Sequence, residues 1–283
     1  MTDKLIALVD GSAYSRSVCE YAAWIAGRTG AAVELLHVLG RRETASSDLS
    51  GSIALGARTA LLEELSTLDE QRARLAQKRG RAILEDAEAV LKQAGVEMVT
   101  ARLRNGDLLE AVAEAEDDAR GIVIGKRGEA ADFAKLHLGS NMERIARASK
   151  KPVFVAARTF RPVRKVLIAY DGGQSAMKAV DHVARSPLFA GLDIRLLTAG
   201  TESVEARLAL EGAQATLKAG GHEAAAELVP GQPDKVISEA VERDGIDLLV
   251  MGAYGHSRIR SLFIGSTTTE MIRSCKIPVL LFR

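Results

Sequence analysis

The stretch that decides the fold is Ile246 to Gly255, IDLLVMGAYG, followed after nine residues by Gly265-Ser266-Thr267. The apolar run predicts a buried strand, and the glycines after it predict a loop that opens a helix. Backbone N–H groups at a glycine turn and at a helix N-terminus together form an anion site. Glycine also lets a ligand approach the backbone closely, because it has no Cβ. The stretch therefore predicts a ligand loop at the end of a strand.

The same pattern occurs earlier, as Gly121 to Gly128 (GIVIGKRG), then ten residues, then Gly139-Ser140. A second repeat accompanies it, because an apolar run ends in Asp10-Gly11-Ser12 and another ends in Asp171-Gly172-Gly173. Two motifs that recur in the same order indicate a duplicated unit.

We therefore expect two domains, over residues 1–158 and 162–283, joined by a short link. Alternating strand and helix patterns predict the α/β class, with two tandem, doubly wound, five-stranded parallel sheets. Asp10 lies 115 positions before Gly125, whereas Asp171 lies 81 before Gly252. The excess falls between the second and third strands, where a helical pattern rich in Ala, Leu, Glu and Arg predicts two helices or one broken helix.

Composition narrows the function classes. The 283 residues are 47% hydrophobic and 27% charged, an ordinary globular composition. The net charge is +1 and aromatic residues are 4%, so neither a basic nucleic-acid surface nor a base-stacking platform is expected. The two cysteines form no CxxC pair and no apolar run is long enough to span a bilayer. We therefore expect a cytoplasmic protein with no nucleic-acid or membrane partner.

Ligands of doubly wound sheets bind beyond the carboxyl ends of the strands, where the strand order reverses. Asp10 and Asp171 end the first strand of each copy, and the glycine loops end the fourth strand. If these strands are neighbours, each aspartate faces a glycine loop, so a carboxylate for ribose lies beside N–H groups for phosphate. Neither loop matches G-x4-G-K-S/T, and no GxGxxG follows the first strand. A P-loop NTPase and an ordinary dinucleotide oxidoreductase are therefore disfavoured.

Asp-Gly-Ser after the first strand, with Gly-x2-Gly-x9-Gly-Ser/Thr after the fourth, resembles the universal stress protein family in tandem form. The second copy fits the spacing of the family's ATP-binding subclass. The first copy has ten residues where the family has nine, and Gly173 stands where the family usually has Ser. The resemblance implies an adenine-nucleotide alpha-hydrolase-like fold with strand order 3-2-1-4-5, and ATP as the bound cofactor, with or without Mg²⁺.

The resemblance also implies which residues contact the nucleotide. In the second copy the nucleoside would meet Ala169, Tyr170, Asp171 and Ala199, and the phosphates would meet Met251, Gly252, Gly255, His256, Gly265, Ser266 and Thr267. The first-copy counterparts would be Val9, Asp10, Val38, Gly125, Arg127, Gly128, Gly139, Ser140 and Asn141. Asp171 is the candidate ligand for magnesium. Since the second copy has the regular spacing, we favour it as the competent site.

Family members commonly pair through the fifth strand. In a tandem chain, Val153–Ala157 and Val279–Phe282 would pair within one polypeptide and cover two apolar edges. A further homodimer is compatible with the sequence.

Simpler readings stay open for these motifs. A glycine loop can be a turn, and Asp10 or Asp171 can cap a turn without binding a ligand. His256 can be a solvated side chain. The charged stretch Glu63–Arg81 most simply solvates a helix face, although its apolar positions could line a cavity or a partner surface.

Three functions therefore compete. The first is an ATP-binding universal stress protein that acts as a nucleotide-dependent stress-response regulator or scaffold. The second is a scaffold or binder of small apolar ligands that uses no nucleotide. The third is a weak ATPase. No nucleophile–base pair emerges from the sequence, so we expect no catalytic residues and at most slow ATP hydrolysis.

Overall fold

The structure is a computed structural model that describes residues 4–40, 58–128, 139–253 and 265–283. In those residues ten strands form one sheet. The strands are β1 (Lys4–Leu8), β2 (Ala32–Leu39), β3 (Val99–Asn105), β4 (Ala119–Gly125), β5 (Val153–Ala156), β6 (Lys165–Ala169), β7 (Asp193–Ala199), β8 (Ala225–Val229), β9 (Leu248–Gly252) and β10 (Val279–Phe282).

Helices connect the strands and cover the sheet. They are α1 (Ser15–Thr29), α2 (Arg58–Gln93), α3 (Leu108–Glu116), α4 (Ser140–Ala148), α5 (Gln174–Arg185), α6 (Val204–Ala219), α7 (Pro233–Asp244) and α8 (Ser266–Ser274). In the described part of the chain, no helix has both the length and the apolarity needed to cross a bilayer.

The strand order across the sheet is β3-β2-β1-β4-β5-β10-β9-β6-β7-β8. Each half therefore has the order 3-2-1-4-5, which confirms the predicted fold. Neighbours within each half are parallel. The first and fourth strands of each half lie side by side, so both predicted motifs emerge at the same edge of the sheet.

The two halves meet at β5 and β10, which pair antiparallel with Leu280 opposite Phe154. This pairing turns two five-stranded sheets into one ten-stranded sheet. The link that follows β5 packs on α1, where the Tyr21 hydroxyl contacts the carbonyl oxygen of Thr159 and the N–H of Arg161. The boundaries at residues 158 and 162 stay a prediction.

Two apolar layers bury the sheet. One lies under α1, α2, α5 and α6, where Tyr21, Leu91 and Val180 are fully buried. The other lies under α3, α4, α7 and α8, where Ile145 and Met271 are fully buried. Strands buried on both faces explain the nearly continuous apolar runs in the sequence.

The longer connection of the first half is α2, which has 36 residues where α6 has 16. The predicted helical excursion between the second and third strands is confirmed, but the predicted break is wrong. The chain passes Gly80 without a break, and a Cβ there would lie 2.8 Å from Leu103 Cδ1 and 3.0 Å from His37 Cδ2. Gly80 thus lets the helix lie close against the sheet.

Serine often caps a helix, yet Ser15 and Ser140 each begin a helix as its first residue, and the cap positions are Tyr14 and Gly139, which make no side-chain cap bond. Asp107 does cap α3, because its Oδ1 accepts from Leu109 N at 2.8 Å.

Candidate functional site

The site begins with the two Asp-Gly turns. Asp10 Oδ1 accepts from the N–H of Ser12 at 3.0 Å, and Asp171 Oδ1 accepts from the N–H of Gly173 at 2.8 Å. The turn is therefore the same in both halves, although the third residue differs. A Cβ at Gly173 would lie 2.9 Å from Asp171 Oδ1, so glycine leaves that carboxylate in place.

The second residue of each turn distinguishes the two halves. Gly11 and Gly172 have φ angles of 76° and 75°, in the left-handed region that favours glycine. A Cβ at Gly11 would lie 2.7 Å from Ile83 Cδ1 on α2, whereas nothing lies within 4 Å of a Cβ at Gly172. Ile83 of the long helix therefore covers the first turn. Among the described residues, no side chain covers the second turn in the same way.

Each glycine loop is closed by one backbone hydrogen bond. Gly139 N donates to the carbonyl oxygen of Lys126 at 3.2 Å, and Gly265 N donates to that of Ala253 at 3.1 Å. The bond joins the end of the fourth strand to the start of the next helix. It forms in both halves, so the extra residue of the first loop does not alter this closure.

The end of β4 lies against the start of α1, and the end of β9 lies against the start of α5. A Cβ at Gly125 would lie 2.6 Å from Tyr14 Cβ, and one at Gly252 would lie 3.0 Å from Ser175 Cβ and from Ala176 N. Any larger residue at either position would push the strand end away from the helix. These two glycines are therefore needed for packing.

In the first half the aspartate and the glycine loop meet. A Cβ at Gly128 would lie 2.8 Å from Asp10 Oδ2, and one at Gly139 would lie 3.2 Å from Arg127 Cα. Four residues predicted for one site are thus brought together at the end of β1 and β4. In the second half, Gly255 and His256 lie outside the described residues.

The expected nucleoside positions lie at the same edge. Val9 and Tyr170 follow the first strands, and their N–H groups donate to the second strands, to Leu36 O at 3.2 Å and Leu197 O at 2.8 Å. Burial, with Asp171 alongside, raises the pKa of the Tyr170 hydroxyl.

The expected adenine contacts are apolar. Val38 and Ala199 occupy matching positions on β2 and β7 and are half-buried beside the core. Ala169, expected beside the nucleoside, and Met251, expected beside the phosphates, are neighbours across β6 and β9, and both are buried. Val38 in the first half and Ala199 in the second are therefore partly open apolar side chains, each on the strand next to the one that leads into the Asp-Gly turn of its own half.

The expected phosphate contacts lie on the first turns of α4 and α8. Ser140, Asn141 and Ser266 are exposed and Thr267 is half-buried. Glycine occupies the cap position of both helices, so the cap residue supplies no side-chain hydrogen bond. The positive end of each helix dipole therefore faces the glycine loop without a capping hydroxyl or carboxylate from that residue, as suits an anion site.

The described residues offer few side chains that could bind a metal ion. Across 4–40, 58–128, 139–253 and 265–283, no three His, Cys, Asp or Glu side chains converge as a metal site. Asp171 is thus a single carboxylate. Magnesium bound by one carboxylate normally takes further ligands from phosphate and water, so such an ion would depend on a bound nucleotide.

Two residues near the site were not singled out from the sequence as site residues. The Ser15 hydroxyl accepts from Gly11 N at 2.9 Å and contacts Asp10 Oδ1 at 3.2 Å, so it locks the first turn. The position equivalent to Ser15 in the second half is Ala176. Ser15 lies five residues after Asp10, whereas Ala176 lies five residues after Asp171. A comparison of the two repeats could therefore have singled out Ser15.

The other residue is Lys126, in the first glycine loop. Its buried ammonium group donates to the carbonyl oxygen of Ile277 at 2.9 Å and to that of Cys275. Burial lowers the pKa of Lys126 to about 8, and the neighbouring Arg127 acts in the same direction. The lysine resembles that of a P-loop in sequence only, because it binds protein carbonyls and does not point into the site.

Comparisons with known proteins agree with this architecture. The model of the universal stress protein family matches residues 1–157 and 193–283. The universal stress protein Slr1230 of Synechocystis sp. is 39% identical over 284 residues, which is 99% of each chain. A universal stress protein from Archaeoglobus fulgidus has the same fold, with a TM-score of 0.72 at 21% identity over 100% of this chain and 97% of that one. The chain belongs to the universal stress protein family.

Proposed function

We propose that this chain binds ATP at the carboxyl edge of its sheet, and that occupancy of the site regulates a stress response through the shape of the protein or its choice of partner. The observation that carries the proposal is the pair of closed glycine loops, each joining a strand end to an uncapped helix start. This arrangement suits a chain of phosphates.

The remaining groups suit the rest of the nucleotide. The Asp171 carboxylate, oriented by the N–H of Gly173, is the acceptor that we propose for a ribose hydroxyl. Ala199 offers an apolar contact for adenine. Asp171 is the residue that would hold a magnesium ion, whose charge would offset that of the phosphates.

The second half is the stronger site in this proposal. Among the described residues, nothing lies within 4 Å of a Cβ at Gly172, whereas Ile83 covers Gly11 in the first half. Its loop also has the regular nine-residue spacing. We expect the first half to bind more weakly, because a ligand there must displace or fit beneath α2.

Isothermal titration with ATP tests the proposal on three proteins: the wild type, Asp171→Asn and the matched variant Asp10→Asn. We expect Asp171→Asn to weaken the tighter site by about tenfold to a hundredfold, the effect of losing one charged hydrogen bond. Asp10→Asn should leave that site unchanged. No heat from the wild type in the presence of Mg²⁺ would contradict the proposal and favour a scaffold that uses no nucleotide.

Measuring phosphate release from ATP distinguishes a nucleotide-dependent regulator from a weak ATPase. If the protein is a regulator, phosphate should be released no faster than in buffer without protein. Release above background that disappears in Asp171→Asn would instead assign slow hydrolysis to this site.

A further inference from the structure

Part of α2 stands clear of the two-layer core. Every side chain from residue 63 to residue 79 is exposed or half-buried, and burial begins only at Gly80 and continues at Leu84, Ala87 and Leu91. Seventeen helical residues extend over about 25 Å. A helix of this length is marginal in water by itself, because most helical stability comes from packing.

This segment carries an apolar face. Leu68 and Leu75 are 44% and 67% exposed, and they lie seven residues apart, on the same side of the helix. Leu65 and Ala76 are half-buried and flank them on the adjoining side. We call these four residues the α2 face. Its seven-residue spacing is that of helices that pack against other helices.

The charges of the segment are separated along its length. Residues 63–70 contain four acids and no base, and residues 71–81 contain five bases and no acid. The acids are Glu63, Glu64, Asp69 and Glu70, and the bases are Arg72, Arg74, Lys78, Arg79 and Arg81. Ion pairs join the adjoining ends of the two blocks, as in Arg74–Glu70 at 3.6 Å.

The helix dipole does not account for this separation. Acids are favoured in the first turn of a helix and bases in the last turn. The basic block lies in the middle of α2, which continues to Gln93. The pattern therefore points to a neighbour with the opposite charge order.

We propose that the α2 face packs against the α2 face of a second copy of this chain, with the two helices antiparallel. An antiparallel pair places the acidic block of one copy beside the basic block of the other. A parallel pair would place like charges together. A two-fold axis between residues 71 and 72 sets Leu68 of one copy opposite Leu75 of the other, as an isologous interface requires.

Sedimentation velocity on the full chain tests this dimer with charged variants. We expect the wild type to be a dimer and Leu68→Glu/Leu75→Glu to raise the dimer Kd by about a hundredfold or more, since two apolar side chains lose their burial. The control is Val204→Glu/Leu208→Glu on α6, where the two side chains are 72% and 62% exposed. This control should remain a dimer.

Disulfide trapping tests the orientation, in a Cys275→Ser background. Arg72→Cys lies beside the axis, so its two copies should cross-link under mild oxidation. Leu65→Cys should not, because two copies of residue 65 would lie about 20 Å apart in the antiparallel pair. A reversed result, with cross-linking at 65 and not at 72, would overturn the antiparallel arrangement.

Charge reversal supplies a test that does not depend on the leucines. Glu63→Lys/Glu64→Lys should weaken the dimer, and adding Lys78→Glu/Arg81→Glu should restore it. The proposal is overturned if the wild type is a monomer, or if the leucine variant dimerises as tightly as the α6 control. Either result would show that the α2 face does not pack against a second copy of this chain.

Discussion

Lys126 Nζ donates a hydrogen bond of 2.9 Å to the carbonyl oxygen of Ile277, across 151 residues of sequence. Its second acceptor, Cys275 O, follows the end of α8. The first turn of that helix belongs to the second candidate site, and Lys126 belongs to the loop of the first. One buried lysine therefore connects the two glycine loops through a helix of nine residues, about 13 Å long.

The pKa of Lys126 makes its effect on stability depend on pH. Burial lowers this pKa to about 8 from an ordinary 10.5, so between these values the unfolded chain binds more protons than the folded one. The free energy of unfolding should therefore rise with pH over that window, by up to about 3 kcal/mol from this group.

Lys126→Met removes this dependence while keeping the length of the side chain. Chemical denaturation of both proteins from pH 7.5 to 10.5 isolates the contribution of the lysine as a difference. We expect the free energy of unfolding of the wild type to increase relative to that of the variant. Two curves that stay parallel throughout would show that Lys126 is not perturbed.

Gly220 closes α6 against α5 with no room for a side chain. A Cβ there would lie 2.2 Å from the carbonyl oxygen of Ala184, so Gly220→Ala should lower the free energy of unfolding by about 1–3 kcal/mol. Gly212 lies inside the same helix, and no atom of the described residues lies within 4 Å of a Cβ there. Gly212→Ala should raise stability by about 0.5–1 kcal/mol. Thermal denaturation of the two variants should show shifts of opposite sign.

Asp107 holds the start of α3 in two ways. Its Oδ1 accepts from Leu109 N, and its Oδ2 accepts from Arg144 at 2.6 Å. Asp107→Ala should cost about 1 kcal/mol because it removes the cap, whereas Asp107→Asn keeps an acceptor and should cost less. Urea denaturation at pH 7 measures the free energy of unfolding of both variants. An equal decrease in the two variants would argue against the cap.

The same carboxylate should respond to acid. The Arg144 guanidinium, aided by the Leu109 N–H, holds the pKa of Asp107 below its usual range. Its contribution should be complete above the ordinary pKa of 3.8 and should disappear as the pH falls through the lower folded value. Asp107→Ala should lack this part of the acid dependence.

The two thiols should differ in reactivity. Cys19 is fully buried, and burial raises its pKa to about 12, whereas Cys275 is half-buried and its pKa is raised mainly by burial. Because the thiolate is the reactive form, alkylation of the native protein should leave Cys19 unmodified. Mass spectrometry should find Cys19 labelled only after unfolding. Rapid native labelling of Cys19 would contradict this packing.

Much of this architecture follows from the sequence because it depends on local patterns. Apolar runs followed by glycine turns predict the strands, and the recurrence of the Asp10 turn at Asp171 predicts the two halves. The meeting of Asp10 with Gly128 could be predicted, because the first and fourth strands are neighbours whose ends lie at one edge.

Other features depend on contacts that no local pattern encodes. Lys126 reaches carbonyl groups about 150 residues away, so its role required the pairing of β5 with β10. The continuity of α2 through Gly80 depends on how close His37 and Leu103 lie. The Ser15 hydroxyl binds the Asp10 turn and no helix N–H, a choice that depends on three-dimensional geometry.

The most direct measurement is a crystal structure of the protein grown with ATP and Mg²⁺. The account predicts nucleotide density in the second half, with the ribose at Asp171 and the phosphates at the N–H groups of Ser266 and Thr267. Density should be weaker beneath α2 in the first half. Crystals from saturating ATP with no density at either edge would contradict the account.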